Sequence, residues 1–261
     1  LYTICNYQYE QAWVLFVALT LVSFVSFWDD VKTINAKPRL VVQLMAMSLV
    51  FYVLQLYQTL PWWAIIIAYI VFVGILNAYN FMDGINGITG LYSLAVLGTM
   101  QYVNLYITSF VHVDFIWFPM IASVVFLFFN FRKKARCFAG DVGSITIAFW
   151  IVILLLMLMI KTNNLIWILF LAVYGVDTMC TILHRLYLKQ NIFQAHRLHL
   201  YQILVNEKGW SHRVVSVLYA VLQLLISTFV MFSPFNFWIN GLLVFFPLLG
   251  LYALKFHKGI S

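Results

Sequence analysis

ITIAFWIVILLLMLMI, residues 145–160, carries no charge and only one polar side chain, Thr146, before Lys161 closes it. Directly upstream, FAGDVGS (138–144) sets Asp141 among glycines at the mouth of the run. A helix apolar on every side belongs in a large core or a bilayer. The rest of the chain decides between them. Similar stretches recur at 11–28, 41–58, 62–79, 88–108, 114–131, 164–183, 214–232 and 237–254, and roughly 18 mostly apolar residues read as a membrane-spanning helix. Hydrophobic residues make up 64% of the 261 and charged residues 9%, and mean hydropathy is +0.96. Soluble domains carry about a quarter charged residues, so this chain cannot clothe itself in a hydrated surface. The expected fold is an all-α polytopic membrane bundle of about nine transmembrane helices. It forms one integral membrane domain over residues 1–261.

Alternating spans sort the loops into two sets. One holds 14 of the 15 basic residues, among them Lys32, Lys37, Arg39, Arg132–Arg136, Arg185, Arg197 and Lys255, and the other only Lys161. Cationic loops stay in the cytoplasm, so residues 29–40, 80–87, 132–144, 184–213 and the C-terminus are expected inside. The net charge of +7 is thus a topology signal and not a footprint for nucleic acid. Cys5, Cys137 and Cys180 are scattered, and no disulfide framework or thiolate metal site follows. The chain starts at Leu1, with no charged segment ahead of an apolar core in residues 1–10. The expectation is no signal peptide and a protein that continues upstream.

Acids are costly in such a chain, so their positions are informative. Asp29 and Asp30 (SFWDDVK) close the first span, where a helix C-terminus favours cations; Lys32, Lys37, Arg39 or a bound metal must offset them. A solvated helix end explains the pair equally well. NAYNFMDGINGITG (77–90) spaces Asn77, Asn80 and Asp83 three apart, one face of a helix if the helix continues. Asn86 is placed to cap the next helix, whose N-terminus favours phosphate. Asp141 precedes the decisive run, with Ser144 as the expected N-cap. RKKAR (132–136) reads as an anionic-lipid contact. AHRLHLYQ (195–202) offers His196, Arg197, His199 and Tyr201 to phosphate and base, or forms an interfacial helix. Asp177 lies within a span and is expected to pair with Arg185. Carboxylates and amides without thiolates make a hard, oxygen-rich site for Mg²⁺ or Mn²⁺ rather than Zn²⁺.

At WDD with KPRLVVQ (28–43), NAYNFMDGINGI (77–88), AGDVGS (139–144) and HRLHLYQ (196–202), the chain resembles the polyprenyl-phosphate N-acetylhexosamine-1-phosphate transferases. These are of the glycosyltransferase family 4 type, like the bacterial undecaprenyl-phosphate GlcNAc-1-phosphate transferases. The four segments come in that family's order and on one expected side of the membrane. The resemblance implies transfer of sugar-1-phosphate from a UDP-N-acetylhexosamine to undecaprenyl phosphate, releasing UMP, with Mg²⁺ as cofactor. It implies Asp29, Asp30, Asp83 and Asp141 as catalytic residues, with Asp141, Asp29 and Asp30 holding the metal. Substrate contacts would come from Lys37, Arg39, Asn77, Asn80, Asn86, His196, Arg197, His199 and Tyr201. The implied place is the bacterial cytoplasmic (inner) membrane, with the active site facing the cytoplasm, and the partners are the two substrates and the lipid bilayer. A homodimer is an assembly the resemblance allows. Asn86 stands where many members carry a second Asp. Alternatives are muramoyl-pentapeptide transfer, a secondary transporter, a CDP-alcohol phosphotransferase and a non-catalytic subunit. A transporter would place its ionisable groups near the midplane, in related repeats; the acids here fall at helix ends.

Overall fold

A computed structural model describes residues 12–190, 197–253 and 255. The elements run α1 (Ala12–Val31), α2 (Ala36–Val53), the short α3 (Leu56–Thr59), α4 (Trp62–Met82), α5 (Ile88–Tyr106), α6 (Asp114–Asn130) and α7 (Gly140–Thr162). A 3₁₀ stretch, Leu165–Leu171, leads into α8 (Ala172–Tyr187), followed by α9 (Leu200–Asn206), α10 (His212–Phe232) and α11 (Phe237–Ala253). The described residues are helical and contain no strand.

Helices stand where the nine apolar stretches lie, though not all of them are long and apolar enough to cross a membrane by length and composition. Among the described residues six are long and apolar enough to cross a membrane: α1, α2, α4, α7, α10 and the continuous 3₁₀–α8 segment Leu165–Tyr187. The other three differ for physical reasons. α6 and α11 have 17 residues each, about 26 Å of helix against a hydrocarbon core of about 30 Å. α5 is long enough but carries Thr89, Ser93, Thr99, Gln101 and Asn104 on its buried side. Polar groups facing the protein rather than lipid can be satisfied internally. Asn104 does so at the helix end, taking the Phe110 and Val111 amides at 2.9 and 3.1 Å.

α7 is the centre of the bundle. Most of Ile145–Met159 is buried, and α1, α4 and α5 pack around it. Bridging polar contacts fix the neighbours: Ser23 to Thr146 at 2.9 Å and the Trp150 indole to the Phe115 carbonyl at 2.7 Å. α5 packs chiefly on α10, where the buried Tyr92 hydroxyl donates to Gln223 at 2.7 Å. Outward faces stay apolar, with Trp117, Phe118, Ile121, Val124 and Phe128 exposed on α6 and Trp238, Leu242 and Phe246 on α11. In water such faces would associate; in a bilayer they meet hydrocarbon.

Two local expectations are corrected. α7 begins at Gly140, four residues before Ser144, and Ser144 turns back onto the Gly140 carbonyl at 2.8 Å. α5 is capped by Gly87, not Asn86. The Asn86 side-chain Nδ2 instead donates to the Arg132 carbonyl at 2.9 Å, and the Asn130 side chain accepts the Gly87 backbone amide at 2.5 Å. In both cases a group distant in sequence took the role that local pattern assigns to a neighbour.

Candidate active site

The site lies where the C-terminal ends of α1 and α4 meet the N-terminal end of α7. α4 continues through Met82, so Asn77 and Asn80 share a face and Asp83 ends the helix. Asn77 donates to Gln43 on α2 at 3.0 Å. Asn80 donates to Asp141 Oδ1 at 2.6 Å and to Ser144 at 3.3 Å. Asp83 accepts from the Thr89 hydroxyl at 2.5 Å.

Asp29 and Asp30 divide the work of the pair. Asp29, nearly buried, accepts the Ile34 amide at 2.7 Å, which folds the turn into α2. Its Oδ2 accepts from Arg39 Nη1 at 2.6 Å, and the same nitrogen donates to Asp141 Oδ2 at 2.8 Å. One guanidinium nitrogen is thus held between carboxylates of two helices. Asp30 accepts the Asp141 and Val142 amides at 2.8 and 3.0 Å. It is an N-cap for α7 supplied from α1, neutralising orphan donors and the positive end of the helix. Gly140 makes this possible: its φ is +62°, and a Cβ there would sit 2.6 Å from Asp30 Oδ2.

Burial pushes the Asp83 carboxyl up to about 7, with the Asp141 and Asp30 charges adding to the effect and the Thr89 hydrogen bond opposing it. In the unfolded chain the ordinary value is 3.8. The stability associated with the neutral carboxyl is therefore complete below about pH 4 and is lost as pH rises to about 7. Asp83→Asn should unfold at the same temperature as wild type at the acid end. It should gain on wild type between pH 4 and 7, and the gap should then stay constant. Thermal unfolding in detergent micelles across that range checks this; a gap that ignores pH refutes it.

The remaining predicted residues are spread more widely. Lys37 is exposed two residues before Arg39, and Arg197 is exposed at the start of the described inner segment. His196 lies outside the described residues. His199 is buried, its ring 3.4 Å from Asp177. Tyr201 is fully buried, and its hydroxyl donates to the Phe81 carbonyl at 2.9 Å. Asp177 takes up His199, the Leu200 amide at 2.9 Å and the Tyr219 hydroxyl at 2.7 Å. Sequence reasoning missed Thr89, Gln43, Asn130 and His212, whose Nδ1 accepts the Asn86 amide at 3.3 Å. Thr89, six residues past Asp83 in the first turn of α5, was the most readable of them.

Among the described residues no three His, Cys, Asp or Glu side chains gather as a metal cluster. Mg²⁺ commonly uses only one or two protein carboxylates, completing its shell with water and substrate phosphate. Asp29 and Asp141, whose oxygens already converge on one cationic nitrogen, fit that pattern. Beside them opens an apolar cavity of about 640 Å³ between α5, α6 and α7, with Thr89, Ala139, Val142 and Gly143 on its near wall.

Residues 12–159 match the family described as glycosyl transferase family 4. The chain is 29% identical over 191 residues to a probable undecaprenyl-phosphate N-acetylglucosaminyl 1-phosphate transferase of Bacillus subtilis (strain 168), covering 71% of this chain and 53% of that one. It is 30% identical over 169 residues to a phospho-N-acetylmuramoyl-pentapeptide-transferase of Thermotoga maritima, covering 63% and 53%. A like-named protein of Wolbachia sp. subsp. Drosophila simulans is 26% identical over 239 residues, covering 80% and 71%. The chain spans about half the length of the first two relatives.

Proposed function

The chain belongs to glycosyl transferase family 4, and on that premise we propose that it transfers sugar-1-phosphate from a UDP-N-acetylhexosamine to undecaprenyl phosphate. The observation that carries this reading is the convergence of Asp29 and Asp141 on Arg39, beside Asp83, at the ends of membrane helices. Such a site offers hard anionic ligands and a partly exposed cation to a diphosphate, and its apolar flank suits the hydrocarbon start of a lipid.

In the proposed reaction an oxygen of the lipid phosphate attacks the β-phosphorus of the donor. The bond from that phosphorus to the bridging oxygen breaks, and the oxygen leaves on UMP with its electron pair. Asp29 and Asp141 would hold Mg²⁺, which when bound neutralises charge on the diphosphate. Arg39 and Lys37 supply further positive charge at the mouth. Asp30 fixes the N-terminus of α7 and hence the direction of Asp141. A phosphate monoester has its second pKa near 6, so most acceptor arrives as the dianion. Asp83, ionising near neutrality, is matched to take the proton from the remainder.

The 14-to-1 distribution of basic residues supports a cytoplasmic site in the bacterial inner membrane. The second reading is muramoyl-pentapeptide transfer, favoured by the names of several relatives. The inner segment 184–213 is only 30 residues long, and that shortness favours the simple donor. One assay tests all three points. Inverted membrane vesicles loaded with undecaprenyl phosphate and given UDP-GlcNAc should release UMP, and sealed right-side-out vesicles should not. UDP-MurNAc-pentapeptide should react at less than about a hundredth of that rate, a difference of about 2.7 kcal/mol in transition-state binding. Equal turnover of the two donors moves the protein to the second reading; no UMP from any donor defeats both.

A further inference from the structure

The inner segment that reads as a phosphate grip is folded inward, and its buried side chains end on the turn that carries Asp83. Asp177, on α8 and 3% exposed, stands at the N-terminus of α9. It accepts the Leu200 and Tyr201 amides at 2.9 and 3.5 Å, the Tyr219 hydroxyl of α10 at 2.7 Å, and the His199 ring lies 3.4 Å away. A buried carboxylate with this many donors is a fixed point, since it would be left buried and short of partners if the segment swung out. The next link is Tyr201. Its hydroxyl donates to the Phe81 carbonyl in the last turn of α4, one of the carbonyls a helix end leaves without an intrahelical partner. Its ring also lies across Gly84, where an added Cβ would fall 2.2 Å from the hydroxyl oxygen. Phe81 and Gly84 bracket Asp83, so Tyr201 grips the turn on both sides of the acid.

We propose that Tyr201, anchored through Asp177, is a positioning residue for Asp83: it touches no substrate but fixes the direction in which that carboxyl points. A side chain completely buried against backbone cannot serve as the exposed stacking platform that the motif suggests by itself. The far side of the same turn is held separately, by Ser216 on the Asn86 carbonyl at 2.8 Å and by Asn130 on the Gly87 amide. Loss of Tyr201 therefore loosens residues 81–84 without unfolding 86–90. Only the catalytic consequence rests on the transfer reading; the mechanical one stands on geometry.

The test pairs a kinetic readout with one that ignores activity. Tyr201→Phe keeps the ring and removes the hydrogen bond. It should lower kcat at least tenfold with KM for the UDP-sugar within twofold, and raise amide exchange at residues 82–85 at least tenfold, with α7 exchange unchanged. Asp177→Asn should give the same pattern. Should either variant fail to accumulate, Gly84→Ala tests the same contact from the other side, because its methyl must displace the Tyr201 hydroxyl. It should lose kcat alone similarly, but less than threefold more when added to Tyr201→Phe. A raised KM with unchanged kcat would make Tyr201 a substrate contact and overturn the proposal, as would unchanged exchange in the turn. If wild type transfers no sugar at all, the functional reading falls while the exchange result still judges the positioning.

Discussion

Asp141→Asn should lower transfer by about 10²- to 10⁴-fold while the protein still inserts and folds. The substitution keeps size and shape. Asn at 141 can still accept from Asn80, and the backbone amide at 141 remains bound to Asp30, so α7 keeps its cap. What disappears is the charge facing Arg39. Removing a single preorganised electrostatic partner of a transition state typically costs 10²–10³, and a group that would also hold the metal stands to cost more. The measurement is initial UMP release at saturating Mg²⁺, with thermal unfolding recorded in parallel. Turnover within threefold of wild type would remove Asp141 from the reaction. Low turnover together with a collapsed unfolding temperature would mean that the charge serves folding instead.

The sequence was legible wherever cost made a residue conspicuous. A charge or carboxamide is expensive in a chain this apolar, so Asp29, Asp83, Asp141 and Asn80 could be picked out directly, and the structure brings their helix ends together. The spacing of Asn77, Asn80 and Asp83 worked because a 3.6-residue period is a local property. Capping was not legible, because the partner is chosen in three dimensions. Asp30 reaches its amides across 111 residues, and once it holds them Ser144 has no cap to make. The same logic hid the role of Asp177. Read along α8, its natural partner is a residue on the same helix, whereas the fold gives it His199 and the start of α9. Hydropathy alone left the inner face of α5 unread, because it does not say that Thr89, Ser93, Thr99, Gln101 and Asn104 share the buried side.

Arg39→Met carries the other large effect, and in two directions. Arg39 Nη1 sits 2.6 Å from Asp29 and 2.8 Å from Asp141, so the carboxylates proposed to hold the divalent ion already hold an internal cation. Metal and guanidinium then compete for the same oxygens, and metal uptake frees Arg39 for the anionic donor. Arg39 is about 29% exposed, which leaves it room to swing without dismantling packed structure. Removing it should tighten Mn²⁺ binding at least tenfold, as read by the loss of free-ion EPR signal in detergent-solubilised protein without substrate. Transfer should nevertheless fall about a hundredfold, because the diphosphate loses a planar, fork-shaped donor that Met cannot replace. Lys37→Met removes one nearby positive charge, exposed and away from the bridge. Its effect on Mn²⁺ binding should be no more than about twofold, which separates competition at the carboxylates from a general change in local potential. Arg39→Lys should fall between the two, holding one carboxylate at a time. Weaker Mn²⁺ binding in Arg39→Met would show that the guanidinium preorganises the acids instead of competing for them. Equal tightening in both Met variants would reduce the effect to net charge.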